Sequence, residues 1–504
     1  MNNGKICISV CATNADEMLE QIRRAEKLAD VIEIRLDCIE SKQIHKAFAF
    51  LSSKKPLLLT YRPKEQGGKA EADLFSRKTM WTVFVINGLN DVRKLWFDYE
   101  YDLINLQKVS NPITIKSFHD FLGVPENLSE IFENLSAKSE VAKIAVQADD
   151  IADSLAVWKL LEKAKAENKQ LIPIAMGEAG KWTRILGLAH GAFMTYASLG
   201  AGNETASGQI SAKDLIEIYR VKELNEKTEI YGIVGNPVSH SLSPFMHNAA
   251  FKFHNLNAVY IPFEVKNLDE FIKRFLKESS LNIKGFSVTV PHKQAIIKHL
   301  DFVDETAKAI GAVNTVKIEN GKLYGYNTDA DGFIEPLKNA YGDLKDAKVA
   351  VLGSGGAARA CIYALKKEGA EVKVFARNLE KAKSLTKEFQ ISSSKFQRPK
   401  TKDQKPIFKN YKILVNTTPL GTTGELENET PVFAEQIELV KLVYDLVYNP
   451  SETRLIKEAR KANVPIIGGL AMLVAQGIKQ FEIWTGKDAP IKEISATVLK
   501  KLSI

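Results

Sequence analysis

Residues 348–358, KVAVLGSGGAA, join an apolar strand pattern to a run of glycines that leads directly into helix-forming sequence. Glycines at such a strand-to-helix turn let the backbone approach a pyrophosphate closely, and the phosphate then lies on the helix N-terminus. A tight turn without a ligand is the alternative that the glycines alone leave open. We interpret four residues of this turn as a dinucleotide-binding site: Gly353, Gly355, Gly356 and Ala357.

The next strand pattern, 371–376, indicates which dinucleotide is bound. An NAD enzyme usually ends this strand with an acidic residue that holds the free ribose 2′-hydroxyl. Here Arg377 and Asn378 follow instead. A guanidinium favours a 2′-phosphate, so the sequence predicts NADP as the cofactor.

Length and composition describe an ordinary globular chain. It has 504 residues, 45% hydrophobic and 26% charged, which suffices for two to four domains. The sequence contains no apolar run of bilayer length, and the N-terminal MNNGKICISV enters strand-like sequence at once, so we expect a cytoplasmic protein. The net charge of +8 is spread along the chain, which favours small anionic ligands over nucleic acid or membrane partners.

The four cysteines, Cys7, Cys11, Cys38 and Cys361, are too few for a disulfide framework. The spacing of Cys7 and Cys11 lacks a second ligand pair, so we predict no metal site. We expect these side chains to serve as small apolar filler.

The first 200 residues contain eight short apolar or alternating segments, and most intervals between them fit an amphipathic helix, for example 16–29, 150–165 and 182–188. Eight strand–helix units in about 220 residues predict a (β/α)₈ TIM barrel. The segments are KICISVCA, VIEIRLD, PLLLTYR, KLWFDYE, NPITIKSF, KIAVQAD, LIPIAM and GAFMTYAS.

The polar stretch 221–229 separates this barrel, predicted over 1–222, from a second α/β module. Strand patterns at 230–234, 259–263 and 285–290 predict a small domain over 230–334. A Rossmann-type domain is predicted over 335–467, with strands at 348–353, 371–376, 413–416, 442–445 and 464–467. We expect residues 392–409 to form a long surface loop and a helix over 470–484 to return to the small domain, which 468–504 completes.

Charged residues lie within or directly after several predicted barrel strands, although buried strands are usually apolar. Glu33 and Arg35 alternate on the second strand, Arg62 ends the third, and His119 follows the fifth. Catalytic residues of such barrels lie at the carboxyl ends of the strands, so these residues predict an anion pocket. Asp98 and Glu100 add carboxylates at the end of the fourth strand. Lys143 precedes the apolar run 144–146, and desolvation inside a barrel would make it a nucleophile toward a ketone.

In order and spacing, these motifs resemble type I 3-dehydroquinate dehydratase over residues 1–222. The matching motifs are Glu33-Ile-Arg35-Leu-Asp37, Thr60-Tyr-Arg62, Ser117-Phe-His119-Asp120, Lys143-Ile-Ala-Val, Arg184 and Gly208-Gln209-Ile210. The resemblance implies that Lys143 forms an imine with the substrate ketone and that His119 is the general base and acid. It also implies a set of residues that hold the carboxylate and hydroxyls: Glu33, Arg35, Arg62, Arg184, Thr205 and Gln209.

Two positions depart from this family's pattern. Gln66 stands where the family usually has a glutamate, and Thr205 replaces a serine. A neutral amide cannot raise the pKa of a neighbouring histidine as a carboxylate does, so we expect Glu65 or Glu100 to assist His119.

A second set of motifs, over 230–504, resembles shikimate dehydrogenase. They include Ser241-Leu-Ser243-Pro244, Ser287-Val-Thr289 with Lys293, Gly311-Ala-Val-Asn314, Tyr326-Asn-Thr-Asp329, Val-Asn416-Thr-Thr-Pro419, Asp445-Leu-Val-Tyr448 and Met472-Leu-Val-Ala-Gln476. Read without the resemblance, the two serines are equally consistent with turn or N-cap hydroxyls before Pro244.

The resemblance implies that Lys293 and Asp329 are the catalytic pair. It places six residues against the substrate: Ser241, Ser243, Thr289, Asn314, Tyr448 and Gln476. It places Thr417 against the cofactor, with Arg377, Asn378 and Lys381 facing the 2′-phosphate. The family often has asparagine before this arginine, where this chain has Ala376, so one phosphate contact is expected to be absent.

Both resemblances involve 3-dehydroshikimate, so the sequence predicts a bifunctional enzyme of chorismate and aromatic amino-acid biosynthesis. Its substrates would be 3-dehydroquinate, 3-dehydroshikimate and shikimate. Two alternatives remain at this point: a dehydrogenase whose barrel is only a binding module, and an enzyme that oxidises quinate with NAD. Lys143 and His119 count against the first, and Ser243 with Arg377 against the second.

Overall fold

The structure is a computed structural model that describes residues 2–43, 53–86, 95–103, 113–200, 202–398 and 407–502. Contacts between residues divide the chain into two compact units. The first comprises Met1–Ile230 and Asn257–Asn282, and the second comprises Tyr231–Leu256 and Ile283–Ile504. Within the described residues, no helix is both long and apolar enough to span a membrane.

The first unit contains the eight-stranded barrel that the sequence predicts. Its parallel strands follow the order β7-β6-β5-β4-β3-β2-β1-β8, with short β9 beside β8. The amide of Phe193 donates a hydrogen bond to the Leu171 carbonyl at 2.9 Å, where β7 and β8 meet. The strands are β1 Lys5–Val10, β2 Val31–Arg35, β3 Leu57–Thr60, β4 Leu95–Glu100, β5 Thr114–Asp120, β6 Val141–Gln147, β7 Gln170–Met176, β8 Met194–Ser198 and β9 Ile210–Ser211.

Among the described residues, helices lie in several of the intervals between these strands, and the first of them begins at a polar cap. Helix α1 begins after Asn14, whose side chain accepts a hydrogen bond from the Glu17 amide. Every residue of β2, β3 and β4 is buried, as expected for strands covered on both faces. The helices are α1 Ala15–Ala25, α2 Leu74–Ile86, α3 Leu128–Ser136, α4 Leu155–Ala166, α5 Lys181–Leu186 and α6 Ala212–Glu217.

The second unit begins with strand β10 (Glu229–Gly235) and helix α7 (Ser243–Phe253). The following β11 (Ala258–Glu264), α8 (Leu268–Glu270), the π-turn Phe271–Phe275 and α9 (Leu276–Glu278) cluster with the first unit. The second unit continues with β12 Ile283–Val288, β13 Phe302–Val303, α10 Glu305–Ile310, β14 Thr315–Glu319, β15 Lys322–Tyr326 and α11 Asp329–Tyr341. Its first sheet follows the order β10-β12-β14-β15-β13 and pairs β14 antiparallel with β12 and β15.

The glycine-rich turn lies in a six-stranded parallel sheet of order β18-β17-β16-β19-β20-β21. This is the doubly wound dinucleotide-binding order, with β16 as the first strand. The strands are β16 Lys348–Leu352, β17 Glu371–Ala376, β18 Ser392–Lys395, β19 Ile413–Asn416, β20 Leu442–Asp445 and β21 Ile466–Ile467. The helices are α12 Gly356–Lys367, α13 Leu379–Phe389, α14 Ala434–Ile437, α15 Arg454–Lys461, α16 Gly469–Thr485 and α17 Ile491–Leu502.

Helix α16 packs on residues of the first sheet of the second unit and on α11. The Gln480 side chain donates to the Asn314 carbonyl at 3.3 Å, and the Trp484 indole donates to the Val316 carbonyl at 2.9 Å. A Cβ at Gly332 of α11 would lie 2.7 Å from the Gln476 Cβ, so only glycine allows this helix contact.

Two expectations from the sequence are wrong. The predicted loop 392–409 begins with strand β18, which pairs parallel with β17, and its residues 399–406 lie outside the described part of the chain. A serine-rich strand at a sheet edge gains its order from backbone pairing, which hydrophobic periodicity does not reveal.

The second error concerns cysteines. Cys11 and Cys38 form a disulfide, whereas Cys7 and Cys361 are buried thiols as expected. Cys11 and Cys38 are 27 positions apart in sequence, but they follow β1 and β2, which are paired neighbours in the barrel.

Candidate active sites

The first site is a pocket that Lys143 enters from β6. Its side chain is buried, and only 4% of the residue surface is exposed. The ammonium donates to Asp98 Oδ2 at 2.9 Å and to the Tyr196 hydroxyl at 3.0 Å, and it lies 3.9 Å from Glu33 Oε1. The lysine is thus held in one direction by groups on three other strands.

Arg62 connects this lysine cluster to His119. Its Nη2 donates to Asp98 Oδ2 at 2.7 Å, and its Nη1 lies 2.6 Å from the His119 ring nitrogens. Burial alone would raise the pKa of Asp98, but the charges of Lys143 and Arg62 lower it to about 2. Burial and the Arg62 charge hold the pKa of His119 well below its usual value. His119 is therefore neutral near pH 7, as a general base must be.

Two further carboxylates keep polar side chains in place. Glu33 accepts hydrogen bonds from Ser9 Oγ at 2.5 Å and from Thr60 Oγ1 at 2.9 Å. The Arg35 guanidinium donates to both oxygens of Asp37, at 2.8 and 2.7 Å. Arg35 lines the pocket but already has a bidentate carboxylate partner.

Arg184 is the guanidinium of this pocket that is available to an anion. The residue is only 2% exposed, and its one hydrogen bond among the described residues goes from Nη2 to the Ser207 carbonyl at 3.4 Å. Burial lowers its pKa to about 10. A buried cation without a carboxylate partner favours an anionic ligand beside it.

The remaining predicted residues of the first half also line this pocket. Thr205 and Gln209 hold each other, because the Gln209 amide donates to Thr205 Oγ1 at 3.0 Å and accepts from the Thr205 backbone amide at 2.8 Å. The pocket brings together all of the sequence-predicted residues of the barrel: Glu33, Arg35, Arg62, His119, Lys143, Arg184, Thr205 and Gln209.

The expected carboxylate assistant of His119 is not found among the described residues. Glu65 is exposed, and Glu100 contacts Arg77 at 3.4 Å rather than His119. Gln66 is buried, lines the pocket and hydrogen-bonds to the Asp102 carboxylate. The charges that lower the pKa of His119 are those of cations, Arg62 first and then Lys143 and Arg35.

Sequence reasoning undervalued Asp98 and missed Tyr196 and Ser9. A usable signal existed for Asp98, because Thr60 and Asp98 are register partners at the ends of β3 and β4. Polar side chains on two fully buried, adjacent strands must satisfy each other or a ligand. Tyr196 carries no such signal, since a tyrosine within an apolar strand resembles core.

Glu100 makes the stability of the barrel depend on pH in a way that can be tested. Burial raises its pKa from 4.5 to about 7, so the folded state holds a proton across this window that the unfolded state has lost. Stability therefore falls as pH rises from 4.5 to 7, by about 3 kcal/mol for this one group. In Glu100→Gln this contribution is absent. Urea unfolding at several pH values should show wild type losing that free energy of unfolding relative to the variant, whereas parallel curves would contradict the assignment.

The second site joins Lys293 to Asp329 at the start of α11. Lys293 Nζ donates to Asp329 Oδ2 at 2.5 Å, and Asn314 Nδ2 donates to Asp329 Oδ1 at 2.8 Å. Asn314 Nδ2 also lies 3.4 Å from Gln476 Oε1. Four predicted residues thus form one connected group.

The other predicted substrate residues of the second half make contacts outside this connected group. Ser241 Oγ accepts from the Ser243 amide at 3.2 Å, and the Tyr448 hydroxyl hydrogen-bonds to Ser241. Burial raises the pKa of Tyr448. Thr289 lies close to the Gly235 backbone, where a Cβ would be 2.3 Å from its Cγ2.

The glycine turn has the shape that a dinucleotide requires. Gly353 has φ +113°, and a Cβ there would lie 2.4 Å from Thr417 Oγ1. The space around Gly355, the N-cap of α12, is open to 4 Å, and a Cβ at Gly356 would lie 3.4 Å from Lys293 Cδ. The open cradle fits a pyrophosphate and lies next to the lysine of the second site.

The predicted 2′-phosphate residues lie at the end of β17. Arg377 and Lys381 are exposed. Asn378 caps α13, because its side chain accepts from the Lys381 amide at 3.0 Å. The cap thus engages its Oδ1, whereas a phosphate contact would come from its Nδ2.

Family models match most of the chain. Residues 6–226 match type I 3-dehydroquinase, 233–316 match the shikimate dehydrogenase substrate-binding domain, 335–423 match shikimate/quinate 5-dehydrogenase, and 469–499 match the shikimate 5′-dehydrogenase C-terminal domain. The bifunctional 3-dehydroquinate dehydratase/shikimate dehydrogenase of Arabidopsis thaliana is 34% identical over 523 residues, which cover 99% of this chain and 85% of that protein. This chain belongs to that bifunctional family.

Relatives of the second half alone support the same family. NADP-dependent shikimate dehydrogenase of Methanocaldococcus jannaschii is 42% identical over 283 residues, covering 56% of this chain and 99% of the relative. A crystal structure of shikimate dehydrogenase in complex with NADP⁺ is 40% identical with a TM-score of 0.50, covering 55% of this chain and 97% of that one. Both resemblances drawn from the sequence motifs are confirmed.

Proposed function

We propose that this chain dehydrates 3-dehydroquinate to 3-dehydroshikimate in the barrel and then reduces this product to shikimate with NADPH. The observation that carries the proposal is the barrel pocket, where a buried lysine and a neutral histidine lie with a buried arginine that has no carboxylate partner in the described part of the chain. The domains we assign are 1–222 for the dehydratase, 230–334 completed by 468–504 for shikimate binding, and 335–467 for NADP.

The dehydratase mechanism follows from these groups. Arg184 binds the substrate carboxylate. The Lys143 ammonium gives a proton to water, the free amine attacks the ketone carbon, and the resulting carbinolamine loses water to give an imine. The imine withdraws electrons, so neutral His119 removes the proton from the adjacent carbon. The same histidine returns the proton to the departing hydroxyl, and hydrolysis of the imine releases 3-dehydroshikimate. Asp98 keeps Lys143 and Arg62 in position while the imine forms and while the hydroxyl leaves.

Borohydride trapping tests the imine directly. Treating the enzyme with borohydride in the presence of 3-dehydroquinate should reduce the imine and attach the substrate skeleton to the peptide that contains Lys143. The matched control is the same treatment without substrate. Peptide mass spectrometry that finds the adduct on another lysine, or finds none, would contradict this mechanism.

In the dehydrogenase site, Lys293 is the proton donor. When bound, NADPH supplies a hydride to the carbonyl carbon of 3-dehydroshikimate. The Lys293 ammonium stabilises the negative charge that develops on the carbonyl oxygen and transfers a proton to it. Asp329 fixes the direction of the ammonium, and Asn314 fixes Asp329. The substrate residues we assign are Ser241, Ser243, Thr289, Asn314, Tyr448 and Gln476.

The cofactor residues we assign surround the glycine turn. Gly353, Gly355, Gly356 and Ala357 would hold the pyrophosphate with Thr417 beside them, because the turn leaves open space above the N-terminus of α12. Arg377, with Asn378 and Lys381 at the start of α13, would hold the 2′-phosphate.

A further inference from the structure

Three exposed cationic side chains lie around the carboxyl end of β17. Arg377 follows the strand directly, Lys381 lies in the first turn of α13, and Lys395 is the last residue of β18. None of them has an ion-pair partner among the residues that the structure describes. The acid of the same turn, Glu380, already accepts from Lys383 Nζ at 3.1 Å. This edge of the sheet is therefore an uncompensated positive surface.

Strand β18 brings Lys395 to this surface. Lys395 is the register partner of Ala376, and the Phe396 amide donates to the Ala376 carbonyl at 3.0 Å. Neighbouring strands lie about 4.8 Å apart, and directly paired residues present their side chains on the same face. Lys395 thus lies on the neighbouring strand directly opposite Ala376, the residue that precedes Arg377.

The face that Lys395 shares is the one covered by the dinucleotide-binding helices. Val374 and Ala376 belong to a hydrophobic cluster with residues of α12 and α13, such as Ala382. Phe375 points to the opposite face, where its ring packs against Phe396 at 6.2 Å between centroids. Because side chains alternate along β18, Lys395 lies on the face opposite Phe396.

We propose that Lys395 is a specificity-determining residue that binds the 2′-phosphate of NADP together with Arg377. This inference rests on the proposed NADP-dependent function. Ala376 offers no polar side chain from β17, whereas its register partner on β18 is a cation. The partial positive charge of the α13 N-terminus points toward the same place and adds to the attraction. NAD has a hydroxyl there, so Lys395 contributes to NADP binding alone.

Equilibrium binding tests this proposal without turnover. Dissociation constants for NADPH and NADH are measured by cofactor fluorescence in wild type, Lys395→Ala, Lys395→Arg and Arg377→Ala. Lys348→Ala is the matched control, since Lys348 is an exposed lysine at the amino end of β16, away from this surface. We expect Lys395→Ala to raise the dissociation constant for NADPH about five-fold and to leave that for NADH unchanged. Lys395→Arg should retain NADPH affinity.

The outcomes separate this proposal from the cofactor assignment. If wild type binds NADPH and NADH equally well, the NADP assignment fails and Lys395 fails with it. If wild type and Arg377→Ala behave as expected but Lys395→Ala binds NADPH normally, only the role of Lys395 is overturned. An equal loss for NADPH and NADH in Lys395→Ala, or a loss in Lys348→Ala of the same size, would also overturn it. Lys395→Arg keeps the test interpretable if Lys395→Ala is poorly folded.

Discussion

Replacing Lys143 by alanine should abolish dehydration of 3-dehydroquinate and leave oxidation of shikimate by NADP⁺ intact. Without the amine no imine forms, and the proton next to the ketone loses the electron withdrawal that makes it acidic. Loss of a covalent nucleophile costs about 10⁵-fold or more in turnover. Shikimate oxidation is the internal control, because Lys143 belongs to one compact unit and Lys293 to the other.

Lys143→Arg separates nucleophilicity from charge. Arginine keeps a cation beside Asp98 but cannot form the imine at neutral pH. We expect it to be as inactive as Lys143→Ala while better preserving stability, because Asp98 and Glu33 retain a buried positive partner. Turnover of 3-dehydroquinate by the arginine variant at more than a few per cent of wild type would contradict covalent catalysis by Lys143.

Lys293 and Asp329 should act as one unit in the second reaction. Lys293→Ala and Asp329→Asn are each expected to lower turnover of 3-dehydroshikimate about 10³-fold, the scale for removing one group that stabilises a developing oxyanion. The double variant should be little worse than the poorer single variant, since aspartate acts here only through the lysine. NADPH binding, measured by fluorescence, should persist in all three.

An ordinary ion pair would behave differently. The Lys293 and Asp329 side chains are 16% and 5% exposed, and a pair with a structural role alone would affect stability and change turnover only slightly. Near-normal turnover in Lys293→Ala would remove it from catalysis. A double variant whose loss is the product of the single losses would show that the two residues act independently.

The sequence predicted the barrel strands and most strands of the six-stranded parallel sheet, because these strands are apolar. All eight barrel segments contain a strand in the structure, and the glycine turn lies after the first strand of the six-stranded parallel sheet. Strand β18 escaped prediction because Ser392–Lys395 has no apolar residue and gains order only by pairing with β17. The disulfide escaped it because the proximity of Cys11 and Cys38 follows from the pairing of β1 with β2.

In the candidate sites, too, the sequence reveals some residues and only the structure reveals others. Charged residues such as Arg62 and Lys143 stand out in a sequence, because they interrupt or flank apolar strands. Tyr196 does not stand out, since it resembles ordinary core, and the contacts of Asp98 with both cations are seen only in the structure. The sequence also could not show which charged residue contacts His119. In the structure this residue is the Arg62 cation rather than Glu65 or Glu100.

One assay tests directly whether this single chain performs both reactions. The purified chain is given 3-dehydroquinate and NADPH, while the enone absorbance of 3-dehydroshikimate and the loss of NADPH are followed together. We expect transient enone absorbance, stoichiometric NADPH consumption and shikimate as the product. NADPH consumption with added 3-dehydroshikimate but none with 3-dehydroquinate, and no enone from 3-dehydroquinate, would contradict this expectation by showing that the barrel is not a dehydratase.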